Sequence, residues 1–555
     1  MTSYAYFNDD ASSSSSDDDD EDDDVNMNNS SSSSKNIHQP LTQRDIDNER
    51  RRAQFSAKPA KRLKQLDDRI KADKMIKKKS TSIVIQLETM DGEKTGPELQ
   101  LDTATNLKQL ESILNELLPS DETNPYAFYS HNMEIMSDLH DFLELNKLST
   151  ESLLTVKYQP LSVFRVNPVT RCTHSMPGHG DAVLHVSFSP TGDVLASGGG
   201  DTIVRFWDIY TATPLFICRG HKHHVLCTCW SPNGKLFISG DYNGEVRMWD
   251  PKTGKQHQKV IKAHKKWVTS IVFEPHHLNE KCERFATSSK DHLIKIWNSR
   301  TGRLVATLSG HTDSVECVKW GGSGLIYSGS RDRSIKVWRV NLKGEKKLIR
   351  TLNGHAHRVN TLALNCDYVC RTGAFSHSKR VEGESDQELY EAAVKRYKDE
   401  IKLHGAERLA SGSDDFTMYL WEAETSKKPL IRLTGHQQLI NHINFSPDGR
   451  YFASASFDKK IKVWDGRTGE FLATLHGHVG SVYQIVWSAD SRLLVSGSKD
   501  STVKVWSMKD LKNKKINAKE TLSGHYDEVF ALDWAPNGER VASGSKDRII
   551  KIWQN

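Results

Sequence analysis

The chain has 555 residues, more than one ordinary domain holds, and points to two to four structural units. Its 76 lysines and arginines nearly balance 71 aspartates and glutamates, but unevenly. Residues 1–49 carry 13 acids and 2 bases, and residues 50–79 carry 13 bases and 3 acids. No apolar run of about 18 residues could span a membrane, the start MTSYAYFNDD is no signal peptide, and eight cysteines without a CxxC pair read as reduced thiols, which argues against secretion, a disulfide framework or a zinc site.

Residues 1–49 form a Ser/Asp-rich acidic stretch with almost nothing apolar to bury, and are expected to be a disordered tail. Two readings stay open for it: a solvating tail, or a site for acidic-directed phosphorylation or contact with basic proteins. The basic segment 50–79, with Arg50–Arg52 and Lys77–Lys79, reads either as a nuclear-import or RNA-phosphate patch or as a plain solvated helix. Across 80–160 the pattern changes. SIVIQLETMDGEKTGPELQLD predicts two strands around a turn. Leucines and isoleucines from Leu107 to Leu118, spaced by three and four, predict a helix over Asn106–Leu118. YAFYS and MEIM predict a strand pair, and LLTVKY a last strand. The order ββ-α-β-β is that of a small α+β ubiquitin-like (β-grasp) domain.

From about Val169 the chain repeats itself. Gly-His or Ala-His recurs at His179, His221, His264, His311, His355, His436, His478 and His525. Each is followed by a tryptophan: Trp207, Trp249, Trp297, Trp338, Trp421, Trp464, Trp506 and Trp553. Six residues before the tryptophan stands Asp201, Asp291, Asp332, Asp415, Asp458, Asp500 or Asp547, with Asn243 as the one substitute. This pattern resembles the WD-repeat family and predicts an all-β, eight-bladed propeller over 161–555. The resemblance makes the recurrent His, Asp and Trp structural: a hydrogen-bond network tying a turn to a strand. The last repeat stops two residues after Trp553, whereas VTRCTHSMPGH before the first repeat has no blade of its own. That segment is therefore expected to complete the last blade and remove an open sheet edge. The fifth repeat carries extra residues at about 370–408, with Leu389, Ala393, Tyr397 and Ile401 at helical spacing of four. This insertion reads either as a surface helix folded on its own blade or as a docking element.

No phosphate loop, HExxH or GxSxG motif occurs, so the chain is expected to be no enzyme, with neither catalytic nor cofactor-binding residues. Function then falls to surfaces. The turn position just before each second strand varies freely, and Trp267, Arg358 and Leu439 there are expected contact anchors of an upper face or residues packed by neighbouring loops.

The combination of a ubiquitin-like unit, eight repeats, VKWGGSGLIYSGSRDRSIKVW, FSPDGRYFASASFDKKIKVWDGRTG, the lead-in YQPLSVFRVNPVTRC and the long fifth repeat resembles the Notchless family over about residues 80–555. The resemblance implies a nuclear and nucleolar assembly factor of the large (60S) ribosomal subunit. Its propeller would sit on the pre-60S particle, contacting ribosomal RNA and ribosomal proteins. Its ubiquitin-like NLE domain would be bound by the MIDAS domain of midasin, an AAA ATPase that remodels the particle. No membrane and no small-molecule substrate is implied. Nor is any cofactor of its own: the Mg ion is the partner's, and a glutamate of the NLE domain supplies its last ligand. Glu134 is the expected ligand, since strand alternation turns it away from Met133 and Ile135, which would themselves bury against the partner. Asp138, Asp141 and Glu144 are the runners-up. Rival readings are the family of WD-repeat protein 12 (seven blades), a ubiquitin-ligase substrate adaptor, a Gβ-like scaffold, and a role in Notch signalling.

Overall fold

A computed structural model describes residues 82–90, 92–118, 125–131, 133–135, 138–149, 153–161, 164–376, 385–511 and 514–555. The acidic tail and the basic segment expected within 1–79 lie outside them.

In the N-terminal unit, β1 (Ser82–Thr89) pairs with β2 (Lys94–Asp102), followed by α1 (Leu107–Leu117), β3 (Tyr126–Ser130), β4 (Met133–Glu134), α2 (Leu139–Asn146) and β5 (Leu154–Pro160). Alternation in β1 buries Ile83, Ile85 and Leu87. Asn106 caps α1 reciprocally with Gln109, and Leu110 and Leu114 bury its apolar stripe. The sheet order is β2-β1-β5-β3-β4 with β5 parallel to β1, the β-grasp arrangement that the element order predicts. The runner-up acids lie on or beside α2, a full helix rather than a single turn.

Eight sheets follow, each a blade of antiparallel strands running outward from the axis, the sixth carrying in addition the strand Lys515–Asn517 parallel to its outer edge. The blades span residues 183–218, 225–262, 268–308, 315–353, 359–433, 440–476, 482–522 and 529–554. Neighbouring blades share cores: Phe206 of the first blade packs edge-on against Trp230 and Phe237 of the second, with ring centroids 5.7 and 5.1 Å away. Such close stacking explains the recurrent Ser-Gly in second strands. A Cβ on Gly198 or Gly544 would lie 2.8 or 2.6 Å from a valine methyl of the next blade.

The eighth blade is completed from the other end of the repeat region. The strand β6 (Arg171–Pro177) pairs antiparallel with Ile549–Gln554, from Pro177↔Ile549 to Arg171↔Gln554. The lead-in runs under the seventh blade, where the Val166 N–H donates to Asp490 at 2.8 Å and Val166 and Val169 join the apolar cluster of the last two blades.

Because the strands alternate in direction, every blade exposes its turns at two ends. One end, called upper here, carries the recurrent His and Asp; the other is lower. The fifth-repeat insertion occupies the lower end. Its first helix, α3 (Asp367–Thr372), is followed by α4 (Asp386–His404). At one end of the central channel, α3 ion-pairs Arg371 with Asp533 at 2.6 Å and Asp367 with Lys319 at 2.8 Å. The helix α4 packs Tyr397 on the core shared by its own blade and the fourth, and also reaches past it. It crosses beneath blades two to four, pairing Asp386 with Lys235 and stacking Tyr397 on His277 at 3.7 Å.

A chain beginning at residue 178 lacks β6 and leaves Ile549–Gln554 as a bare apolar edge. Size-exclusion chromatography and thermal melting should show self-association and a melting temperature lower by roughly 5 °C or more. A monomer of unchanged stability would contradict the closure.

Candidate functional site

In each blade the recurrent residues form one connected network. The tryptophan Nε1–H donates to a hydroxyl ten residues earlier, as Trp207 to Ser197 at 2.8 Å, Trp421 to Ser411 at 2.9 Å and Trp553 to Ser543 at 2.7 Å. In the third blade the hydroxyl is that of Thr287. The same oxygen contacts the histidine Nε2, at 2.8 Å for His179 and 2.7 Å for His525, and histidine Nδ1 contacts the aspartate, at 3.0 Å for Asp201 and 2.7 Å for Asp547. The carboxylate only accepts, so the histidine nitrogen facing it is the donor of that bond, and at His179 the Arg205 guanidinium lies against the same Nδ1 at 2.8 Å. The second blade departs from the expected pattern. Asn243 is not the partner of His221; Asp241, two residues earlier, meets Nδ1 at 3.0 Å and also accepts the Asn243 and Glu245 N–H groups. Six residues back from Trp249 and four on from Ser239 both land on Asn243, so the regular spacing of the other blades does not find Asp241.

Burial lowers the pKa of His179, His221, His436 and His478. Burial would raise the aspartates, but hydrogen bonds from histidine and from the turn N–H groups outweigh it. Asp201 and Asp500 titrate well below the carboxylate range and Asp291 at about 2. Among the described residues no group of three or more His, Cys, Asp or Glu could hold a metal ion. All eight cysteines are free thiols.

The upper face is where Trp267, Arg358 and Leu439 lie. Trp267 is half-buried: its ring lies 4.1 Å from Tyr242 of the second blade, and the Lys290 ammonium sits 4.0 Å over it. Arg358 ion-pairs with Asp414, and Leu439 is half-buried. Two of the three are thus packed by neighbouring loops. Exposed around them stand Lys222, His223, Lys265, Lys266, Arg331 and Arg333, a basic sector over blades two to four.

The lower face meets the β-grasp unit. Glu134 pairs across with Tyr129, on the sheet face opposite Met133 and Ile135, as alternation requires. That face is not open to solvent. It rests on the sixth blade, in the turns holding Arg450 and Arg467. Arg450 Nη2 donates to Glu134 Oε1 at 2.8 Å, the Tyr451 hydroxyl donates to Oε2 at 3.0 Å, and only 9% of the Glu134 side chain is exposed. Beside this pair the Arg467 guanidinium lies 4.8 Å over the Tyr129 ring and donates to Gln159 Oε1 at 3.0 Å. Burial raises the Glu134 pKa, with Arg450 opposing. The expectation that Glu134 projects freely is therefore corrected. Met133 and Ile135 are corrected too: both belong to the core of their own unit, Ile135 being 1% exposed. Of the runner-up acids, Asp141 and Glu144 are exposed, with 54% and 80% of their side chains accessible.

Residues 83–143 match the family described as the NLE (NUC135) domain, and the WD domain, G-beta repeat family matches at 170–208, 212–250, 255–298, 302–339, 427–465, 469–507 and 517–554. The unmatched stretch holds the fifth blade, whose strands α3 and α4 separate. Protein Notchless of Drosophila melanogaster is 48% identical over 375 residues, covering 66% of this chain and 75% of that protein. The Notchless protein homolog of Arabidopsis thaliana is 50% identical, covering 70% and 81%. Ribosome assembly protein 4 of Saccharomyces cerevisiae is 42% identical over 435 residues, covering 75% and 84%. The fold is also similar to the crystal structure of the computationally designed Ika8 protein, with a TM-score of 0.53 and 25% identity, covering 69% of this chain and all of that one.

Asp241→Ala should destabilise the propeller by about 2–3 kcal/mol, because it orphans a buried imidazole N–H, and Asn243→Ala by under about 0.5 kcal/mol. Denaturant melts of both variants would reverse the assignment if the order were inverted. The pH dependence has a definite sign. An unfolded histidine titrates near 6.5 and His179, His221, His436 and His478 lower, so below that pH the unfolded chain binds more protons. The lowered aspartates contribute stability above about pH 4 that is lost only further down. The melting temperature should therefore fall between pH 7 and pH 5; a rise there would contradict the lowering of these histidines by burial.

Proposed function

Since the chain belongs to the Notchless family, we propose that it is a non-enzymatic assembly factor for the large ribosomal subunit. It works in the nucleus and nucleolus, with the propeller docked on the pre-60S particle, on ribosomal RNA and ribosomal proteins. The observation that carries this reading is the joint match of the NLE domain and the repeats, at 42% identity over three quarters of the chain, to a protein named for ribosome assembly. The distribution of surfaces supports it. The NLE domain, lead-in, α3 and α4 occupy the lower face, which leaves the upper face, with its basic sector over blades two to four, for a phosphate-rich particle.

We further propose that the NLE domain is the handle gripped by the MIDAS domain of a midasin-type AAA ATPase. That partner's Mg ion would take a carboxylate oxygen from this chain. As placed here Glu134 does not fit the role, since Arg450 and Tyr451 occupy one oxygen each. It could be offered only after parting from the propeller, whereas the side chains of Asp141 and Glu144 are exposed to solvent as placed.

On a sucrose gradient of cell extract, the tagged protein should co-sediment with 60S-sized precursors and co-purify the ATPase. Reversing charge at Lys265 and Lys266, both exposed beside Trp267, should shift it to light fractions. Sedimentation solely with light complexes containing ubiquitin-ligase subunits would discard the assembly-factor reading in favour of an adaptor.

A further inference from the structure

We infer that the contact of Glu134 with Arg450 and Tyr451 is a releasable latch, which closes the NLE domain on the sixth blade and withholds this carboxylate from any outside partner. The inference rests on the proposed grip only for what the released carboxylate then meets; the latch itself stands on the contact geometry.

Three observations carry it. The first is the kind of interface. Among the described residues, no apolar cluster joins the NLE domain to the propeller. The NLE core draws only on residues between Ile83 and Tyr158, and the propeller clusters contain none of these. What crosses instead is polar: the Glu134–Arg450 pair, the Tyr451 hydroxyl, Arg467 on Tyr129 and Gln159, and the Gln159 amide donating to the Asp448 carbonyl at 3.4 Å. A buried ion pair returns little net stability over its desolvation but demands one geometry, so it specifies a position without welding it.

The second is the tether. The lead-in from Pro160 is anchored under the seventh blade through Val166 and Val169, and β6 is built into the eighth blade. The NLE domain therefore stays beside its seat when released, and at that high effective concentration a modest contact suffices to hold it closed.

The third is the saturation of the carboxylate. One oxygen takes the Arg450 guanidinium and the other the Tyr451 hydroxyl, which Arg450 itself contacts. An outside cation seeking Glu134 competes with a buried guanidinium already in place. A partner that binds the released domain draws the equilibrium open by mass action, and Arg450 sets how much of its affinity that costs.

The test is made on the full chain carrying a fluorophore pair, one label on α2 and one on the sixth-blade outer strand, with thermal melting as a check that both units stay folded. Wild type should report the closed distance. Arg450→Met should raise the open fraction roughly a hundredfold or more, since it strands a buried carboxylate. The exchanged pair Glu134→Arg with Arg450→Glu should restore closure, which a purely structural defect would not do. An Arg450→Met chain that stays closed, or an exchanged pair that stays open, overturns the latch. Capture by a recombinant MIDAS domain in Mg²⁺ then separates the two readings. Increased capture of Arg450→Met, lost on adding Glu134→Gln and absent from the closed exchanged pair, supports release of Glu134 as the step that admits the partner. An Arg450→Met chain that opens but is captured no better, with or without Glu134, leaves the latch standing and overturns Glu134 as the partner's ligand.

Discussion

A ring of β-sheets cannot leave one sheet with a bare edge, and here that constraint is met by a strand from the far side of the repeat region. With β6 forming the outer strand of the eighth blade, the path of the chain before it is no longer free. The lead-in must pass under the seventh blade, and the NLE domain must lie within a short tether of it. The seat on the sixth blade follows from this geometry. Without closure by β6, neither the position of the NLE domain nor the contact of Glu134 with Arg450 would be defined.

The same logic divides the labour of the two faces. Each blade hides its His–Ser–Trp–Asp network inside, so the turns at the upper end are held by bonds that face inward. Their variable residues are free to differ from blade to blade. At the lower end, α3 lies against the channel and α4 beneath blades two to four. The fifth-repeat insertion thus becomes part of the scaffold. Its apolar residues Leu389 and Ala393 bury against Ala374 and Phe375, while Arg396 holds the link between the two helices through Thr372 and Gly373.

Much of this was legible in the sequence, because repeated local rules leave repeated local spacing. Seven of the eight networks, the ring closure and the β-grasp order could be read from distances along the chain. The failures came where a residue's setting depends on something distant. Asp241 escapes any fixed spacing, because four residues on from Ser239 and six back from Trp249 both fall on Asn243. Alternation assigned Glu134 to the right face of its strand, but nothing local says what covers that face. Trp267 seemed costly to expose; the tyrosine that covers it belongs to another blade. The helix α4 could be placed on the chain by its spacing of four, but not under blades two to four, since Lys235 and His277 lie more than a hundred residues away in sequence.

The burial of Glu134 also bears on why the contact persists at all. An apolar pair at this position would close the two units more firmly, since replacing a buried ion pair by well-packed hydrophobic side chains is often stabilising. A firm closure would fix the NLE domain permanently to the propeller and make one rigid body of the protein. An ion pair with a single hydroxyl support does something else: it holds one register while the domain is seated and leaves both partners soluble once it is not. Arg450 and Arg467 also sit in turns rather than strands, so releasing them disturbs no ladder of the sixth blade. Opening then costs the interface and little more, which is the condition for a domain that is pulled on by one partner while the propeller keeps hold of another.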